Sequence, residues 1–528
     1  MTDRQTMEVD IVCVGFGPAT GGFLTTLSRA MADENGQPAL PSQAMPGMPL
    51  QVICYERSDD TSFGVSGVVS RARGIRTTFP DLDPTQIPMA HPVTEEKVLY
   101  LLDPAGASRR SKSLKAIDKL LRTFKGVVGL EHDGVELPYL PDFLKKEDGL
   151  VFSIGQFNQW VSSQLMASGL VQIWPSMPVS EPLIEDNKVI GVRLVDQGTD
   201  RDGNPDAGFM PGMDIRAPLT VVGDGPVGPV GRRLDEHFGL PEGHHQNDWA
   251  VGMKMVVDLP ESCPYEPGTV LHTLGYPEPE IFGFLYVYPG RVASLGIFVP
   301  SWLDSPVRTA YRYLQHWMMH PHIWRYLEGG TMRSWGAKSL QESGRRGEPY
   351  LVGDGYARVG EGSGSTNVLT GSGTDEAWTT GTQLAEGVIE LLREGKPFTR
   401  SNLEQAYVKR RRASWVEKEG KVAERARDGF QKSFLTGLIG MGITGLTGGK
   451  LNLSAKSKPA PEHVPALAEY YKGKIPPAEI EEIRKQCEAS GTSIHNALME
   501  RAGWPEIPHD GKLLVSHQDA LLVGGKVQ

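Results

Sequence analysis

The chain has 528 residues and a formal net charge of −10, with 39% hydrophobic and 22% charged residues. This is a globular composition with room for two to four domains at about 150 residues each, and it argues against a dedicated nucleic-acid binder, which would be basic. The four cysteines, Cys13, Cys54, Cys263 and Cys487, are widely spaced with no C-x-x-C, so neither a disulfide framework nor a local iron–sulfur motif is expected, and the compartment is expected to be reducing.

The first residues, MTDRQTMEVD, carry no apolar signal core, so secretion is not expected. DIVCVGFGPAT (10–20) then reads as a buried strand that breaks into a glycine turn. Gly15 permits the tight turn, Gly17 lets a backbone approach a phosphate, and Pro18, Ala19 and Thr20 open a helix whose N–H groups face a pyrophosphate. The third glycine of G-x-G-x-x-G falls on Thr20, so the fingerprint is imperfect.

PLQVICYERSDD is a second apolar strand ending on Glu56, a carboxylate placed to accept from ribose hydroxyls. The gap from the glycines is nearly twice the usual distance of about 20 residues. The excess, ADENGQPALPSQAMPGM, reads as a surface loop. Arg57 either stacks near the adenosine or is solvated.

SFGVSGVVSRARGI (62–75) reads as a loop past the ligand, with Ser66 and Gly67 as small donors. FSIGQFNQWVSSQLMASGLVQIWPS reads as strand, helix and strand, and PLIEDNKVIGVRLVD as a hairpin around Asp186-Asn187. In DIRAPLTVVGDGPVGPVGRRL an apolar strand ends in Gly223-Asp224-Gly225 before a helix start. Asp224 either faces a cofactor or satisfies local backbone. YARVGEGSGSTNVLTGSGTDEAWTTGTQLAEGVIELL repeats the plan, with Gly360-Glu361, then Asn367 and Val368, then a helix of at least 15 residues. Three such strand ends in this order match a two-dinucleotide-domain flavoprotein. They predict a non-covalent FAD, with Glu361 accepting from a ribityl hydroxyl and the last helix N-terminus facing the flavin.

SFLTGLIGMGITGLTGGKL (433–451) has no charge before Lys450, and its apolar stretch, 434–446, is shorter than the ~20 residues that span a bilayer. Together with KRRR at 409–412 it predicts a surface that dips into one leaflet beside anionic headgroups. IPPAEIEEIRKQCEASGTSIHNALMERAG predicts a polar helical pair that is either a docking surface or a cap.

The chain resembles the electron-transfer flavoprotein–ubiquinone oxidoreductases, which include FixC-like proteins. The resemblance runs through SGVVSRARGIRTTFPDLD, HPVTEE, LHTLGYP, HPHIWRYLEGGTMRSWGAKSLQESG and STNVLTGSGTDEA. It implies an FAD enzyme at a membrane surface that takes electrons from a soluble electron-transfer flavoprotein and passes them to a quinone. It also implies a quinone site at 272–277. There Gly275 would meet a quinone carbonyl, and Tyr276, Phe282 and Phe284 would either line a tunnel or form a core strand. His272 would be a proton donor or a structural histidine. Single-chain members continue into a ferredoxin-like domain. For this chain a separate ferredoxin-like iron–sulfur subunit is expected, or direct entry of electrons into the FAD.

The expected fold is α/β, a p-hydroxybenzoate-hydroxylase-like flavoprotein with an inserted antiparallel-sheet domain and a helical C-terminal region. The FAD-binding domain is expected in three parts (8–100, 151–235 and 346–400). An insert at 101–150, a quinone domain at 236–345, a helical membrane-contact region at 401–455 and a docking region at 456–528 complete the chain. The expected location is the cytoplasmic face of the inner membrane, as a peripheral protein. Two other readings stay open: a flavin-dependent reductase or hydroxylase of an isoprenoid or aromatic substrate, and a relay subunit of a bifurcating complex.

Overall fold

The computed structural model describes residues 4–307, 309–516 and 525–527. The apolar runs seen in the sequence form one six-stranded sheet, in the order Val352–Gly353, Tyr356–Arg358, Leu219–Val222, Ile11–Val14, Val52–Tyr55, Gln172–Trp174. All neighbours are parallel except the first pair. IVCV, VICY and LTVV are buried at every position, as central strands covered on both faces must be. Cys13 and Cys54 lie opposite one another on neighbouring strands, and burial pushes both thiols well up.

Five helices position the site: α1 (Pro18–Met31), α2 (Arg73–Thr78), α3 (Lys112–Thr123), α4 (Thr374–Arg393) and α5 (Phe434–Leu446). Helices α1 and α4 meet at backbone distance. A Cβ at Gly22 would lie 2.5 Å from the Trp378 carbonyl oxygen, and one at Gly381 would lie 1.8 Å from that of Ala19. The close packing normally supplied by a third fingerprint glycine is therefore moved to Gly22 and Gly381, which leaves Thr20 free to differ.

The second layer is an eight-stranded sheet. Its order is Gly525–Val527, Thr331–Gln341, Trp249–Asp258, Val292–Pro300, Phe282–Tyr288, Thr269–Leu274, Glu95–Leu101, Gly134–Glu136. It is antiparallel apart from the pairing of Thr269–Leu274 with Glu95–Leu101 and of Thr331–Gln341 with Gly525–Val527. One face packs under the helices Ala310–Met318 and Pro321–Leu327, around Leu285, Leu295, Leu314 and Trp317. The last two strands in this order come from segments expected to be FAD-binding domain (95–101) and insert (134–136). This layer is thus assembled from distant parts of the chain. No pattern local to 95–101 distinguishes this sheet from the other.

The segment 101–150, read only as an insert, carries α3. Its sequence, KSLKAIDKLLRT, is basic and amphipathic, and it leads into Phe124 and Val127. Leu114 is buried, while Ile117, Leu120, Phe124 and Val127 face outward, Val127 at 86% exposure. Helix α5 is glycine-rich for a packing reason: Cβ atoms at Gly437 and Gly445 would strike the rings of Phe430 and Phe143 at 2.0 and 2.3 Å. Its other side exposes Ile439 and Leu446, the latter at 73%. No helix among the described residues is long and apolar enough to cross a membrane.

The expectation for KRRR is corrected. Arg411 is fully buried and donates to the hydroxyl and carbonyl of Ser363, each at 2.7 Å. Arg412 pairs with Glu348 and Glu417, and Arg410 with Glu386 and Glu390. These arginines fasten the helical region onto the third glycine motif. They are spent on internal carboxylates and are not offered to headgroups.

Candidate functional site

The three glycine motifs converge at the C-terminal ends of the parallel strands. Gly15 has φ +81°, and a Cβ there would lie 2.9 Å from the Gly223 carbonyl oxygen, so the first and second motifs touch. A Cβ at Gly360 would lie 2.9 Å from that of Ala19, which brings the third motif against the start of α1. Thr20 is buried beneath Gly223, with no hydrogen-bond partner for its hydroxyl.

The arrangement fits an anionic dinucleotide. Gly17 caps α1 with no side-chain hydrogen bond, and a Cβ at Gly17 or Gly225 would meet nothing within 4 Å. First-turn N–H groups and open space thus lie where a diphosphate would sit. Glu56 ends its strand beside this turn, and its carboxylate accepts from the backbone N–H of Phe16 at 2.6 Å and of Ser58 at 2.8 Å. It shapes the loop as well as facing it. Arg57 is exposed. In the third motif, Ser365 is buried with an unpartnered hydroxyl, and Gly373 begins α4 with no side-chain cap.

Several residues expected at the cofactor also have local partners. The Asp224 carboxylate accepts from Val230 and Gly231 N–H, both at 3.0 Å, and so caps the following helix. The Asn367 side-chain Oδ1 accepts from Leu369 and Thr370 N–H at 3.2 Å, and Val368 packs with Leu369, Ala423 and Ala426. Glu361 accepts from the Lys338 ammonium at 2.8 Å and from Gln341 N–H at 2.9 Å, which ties the third motif to the eight-stranded sheet.

A residue that sequence reasoning missed, Asp375, joins the remaining loop. Its carboxylate accepts from the N–H groups of Arg73 and Gly74 at 2.7 and 2.8 Å, so the first turn of α4 holds α2 and the 62–78 segment in place. In that segment Gly67 donates to the Ser294 hydroxyl at 3.0 Å, and Ser66 accepts from Lys254 at 2.6 Å. Its signal in the sequence is the acidic pair of TDEA at a helix start.

The inner face of the eight-stranded sheet closes the site. Lys254, Gly296, Phe284 and His272 form one row across four strands. Lys338, Phe298 and Phe282 lie two residues along, on the same face. His272 Nε2 is 3.5 Å from Glu96 Oε1, and the ring stands edge-on to Tyr286 at 5.7 Å. Phe282 joins a cluster that holds Leu274, Leu114 and Leu121 of α3, and Phe434 and Leu438 of α5. One end of the row therefore meets the glycine motifs, and the other meets the two helices with outward apolar residues.

Two quinone-site expectations do not survive in their original form. Tyr276 is buried on the far side of the sheet against His320 and Trp504, with ring centroids at 5.1 and 5.9 Å. Gly275 has φ +101°, a Cβ there would lie 2.5 Å from the Leu101 carbonyl oxygen, and its own carbonyl accepts from buried Arg110 at 2.6 Å. Its glycine is required by packing and by φ. Beside it, a cavity of about 510 Å³ opens between the first turns of α3 and α5, lined in part by Arg109, Lys115, Lys432, Lys474 and Phe434.

With this geometry in place, comparison with known proteins is direct. Residues 249–340 match the family model described as the ubiquinone-binding part of ETF-QO. The chain is 27% identical over 423 residues to the electron transfer flavoprotein–ubiquinone oxidoreductase of Pseudomonas aeruginosa, covering 79% of this chain and 69% of that protein. It is 28% identical over 443 residues to the mitochondrial protein of that name from Arabidopsis thaliana, covering 82% of this chain and 62% of that one. It thus spans about two thirds of the length of these relatives. Among solved structures, the fold is shared with a geranylgeranyl bacteriochlorophyll reductase-like protein of Thermoplasma acidophilum. There the TM-score is 0.56 at 14% identity, over 91% of this chain and 99% of that one. The flavin-dependent brominase Bmp2 follows, with a TM-score of 0.51 at 13% identity, over 87% and 97% of the two chains.

Proposed function

We propose that this chain is an FAD-dependent oxidoreductase that takes electrons from a soluble electron-transfer flavoprotein and gives them to a membrane quinone. One positional observation carries the reading. The stretch matching the ubiquinone-binding model is the sheet whose inner face runs from Lys254, beside the glycine motifs, to His272 and Phe282, beside α3 and α5. The likeness to oxidoreductases named for this reaction supports it.

In this reading FAD is held non-covalently. Gly15, Gly17, Pro18, Ala19 and Thr20 surround the diphosphate, and Glu56 holds the ribose. Ser66, Gly67, Ser365 and the N-terminus of α4 enclose the ring and ribityl chain. When bound, the flavin accepts and returns electrons singly or in pairs. The chain's own task is to place, enclose and protonate. Phe282 and Phe298, both half-buried, give the quinone an apolar wall, and Phe284 is core beneath them. Quinone reduction consumes two protons, and His272, whose Nε2 lies 3.5 Å from Glu96 Oε1, is the side chain of this row that would supply one.

The protein acts as a peripheral enzyme on the cytoplasmic face of the inner membrane. Ile117, Leu120, Phe124 and Val127 from α3 and the turn after it, with Ile439 and Leu446 of α5, form the lipid-facing apolar edge. The lysines lining the neighbouring cavity supply the basic rim. A separate ferredoxin-like subunit supplies any iron–sulfur step, because the four cysteines are individually buried in the protein's interior. The test is to purify the protein, measure its flavin, and follow quinone reduction in vesicles with reduced electron-transfer flavoprotein as donor. Flavin-free protein, or reduction that proceeds equally without the donor, would overturn the reading.

A further inference from the structure

Lys254 is a buried cation without a counter-charge of its own. It lies mid-strand and 4% exposed. Its one hydrogen bond to the described residues is the donation to the Ser66 hydroxyl at 2.6 Å. The Phe298 ring lies 5.9 Å from the ammonium, and a Cβ at Gly296 would touch its aliphatic stem. The charged groups that face it are Lys338 and Glu361, and Glu361 is already engaged by Lys338 and by Gln341 N–H. This corner therefore holds two ammonium groups and one carboxylate. Burying an unpaired ammonium is costly, and desolvation with Lys338 nearby pushes Lys254 down to about 7.

A chain that keeps such a group gains from it only when negative charge arrives. The diphosphate cradle is at the far side, around Gly15 and Gly17. What adjoins Lys254 is the Ser66 hydroxyl, the Gly296 backbone and the half-buried Phe298 ring, a small and largely apolar surface, with Phe284 packed into the interior beside Phe298. Reduction of FAD by two electrons and one proton leaves one negative charge on its ring. In the proposed reaction those electrons come from the electron-transfer flavoprotein and leave to the quinone. We propose that Lys254 is the built-in counter-cation for the reduced flavin ring, raising the cofactor's affinity for electrons and taking up a proton when it is reduced. The proposal rests on the flavin reading above.

The experiment is a potentiometric titration of the flavin absorbance in the whole protein, from pH 6 to 9, for wild type, Lys254→Met, Lys254→Gln and Lys254→Arg. A wild-type protein that carries no flavin refutes the flavin reading and the assignment with it, whereas a flavin-bound protein tests the assignment alone. With flavin bound, Lys254→Met and Lys254→Gln are expected to shift the oxidised–reduced equilibrium about tenfold towards the oxidised form near pH 6, about 30 mV for a two-electron couple. The sign of the pH effect follows from the lowered value. Below about 7 the ammonium is charged in both redox states. Above it, the lysine is neutral beside oxidised flavin, so wild type takes up one additional proton per two electrons, and the uncharged variants do not. Lys254→Arg keeps the charge at every pH and is expected to retain the high potential with no additional proton. A merely structural lysine would leave the potential and its pH dependence unchanged in Met and Gln variants that hold FAD, and that result overturns the assignment. Loss of FAD from all three variants overturns it as well, because a counter-cation for the reduced ring is not needed to hold the oxidised one.

Discussion

Lys338 of the eight-stranded sheet donates to Glu361 of the third glycine motif at 2.8 Å, and this one ion pair joins the two layers across the site. Glu361 is 14% exposed and also accepts a backbone N–H, so removing Lys338 leaves a carboxylate with half its partners. Lys338→Met is expected to weaken FAD retention by roughly 1–2 kcal/mol, a charge-assisted hydrogen bond discounted for partial exposure. Flavin released during graded dilution measures it, and wild-type retention would show that the pair only joins the layers.

Glu56→Ala is expected to cost more, on the order of 1–3 kcal/mol of FAD affinity. In the proposed site the carboxylate would take the ribose, and it holds the Phe16 and Ser58 amides that shape the glycine turn. Glu56→Gln keeps an acceptor for one of those amides and should fall between. Fluorescence of released FAD reports both variants, and equal affinity in all three proteins would remove Glu56 from the site.

The proposed lipid-facing edge gives a sharper test than the uncharged run alone. Leu438 packs against Phe434 and Phe430, so charging it would damage the interior. Leu120 and Ile439 stand outward. Leu120→Asp with Ile439→Asp should release the protein from liposomes while FAD content is kept. Each aliphatic contributes roughly 1.5–3 kcal/mol when buried in lipid, and a carboxylate there adds a further cost. Unaltered sedimentation with vesicles would place the membrane contact elsewhere.

Buried histidines set one pH response. His316 is fully buried with neither ring nitrogen partnered, and desolvation together with Arg312 pushes it down to about 3. Its folded value lies below the unfolded one, so its stability contribution is present above about pH 6.5 and is lost as pH falls towards 3. The slope approaches 1.4 kcal/mol per pH unit within that window. Glu278 and Glu376, each raised to about 7 by burial, act in the opposite direction between about pH 4.5 and 7. The comparison must therefore be with a variant: His316→Phe should lose less thermal stability than wild type between pH 6.5 and 4.5. Parallel curves would show that His316 is protonated in the fold.

The FAD half of this architecture was legible because its signals are local. Three four-residue apolar strands leading into Gly15, Glu56 and Gly223, and the three-residue Tyr356–Arg358 before Gly360, each announce themselves, and they meet as the pattern requires. The substrate half was less legible because its signals are tertiary. Tyr276 and Phe282 sit six residues apart in an aromatic stretch, yet one joins the far core and the other the site, a choice set by sheet face and a turn. KRRR looked like a headgroup site because its partners, Glu348, Glu386, Glu390 and Glu417, are distant in sequence or on another turn. Lys254 drew no attention for the same reason: a lysine in WAVGMKMVVD gives no sign that its neighbours are a serine and two phenylalanines from three other segments.

The central claim is electron passage through this chain from an electron-transfer flavoprotein to a quinone. The most direct measurement is an anaerobic two-step titration of the purified protein, watched at the flavin absorbance. Reduced electron-transfer flavoprotein, with a ferredoxin-like partner present if one is needed, should bleach the bound flavin, and a quinone analogue should then restore its colour with stoichiometric quinol. A bound flavin that the electron-transfer flavoprotein does not reduce, or that stays reduced when quinone is added, would contradict the account.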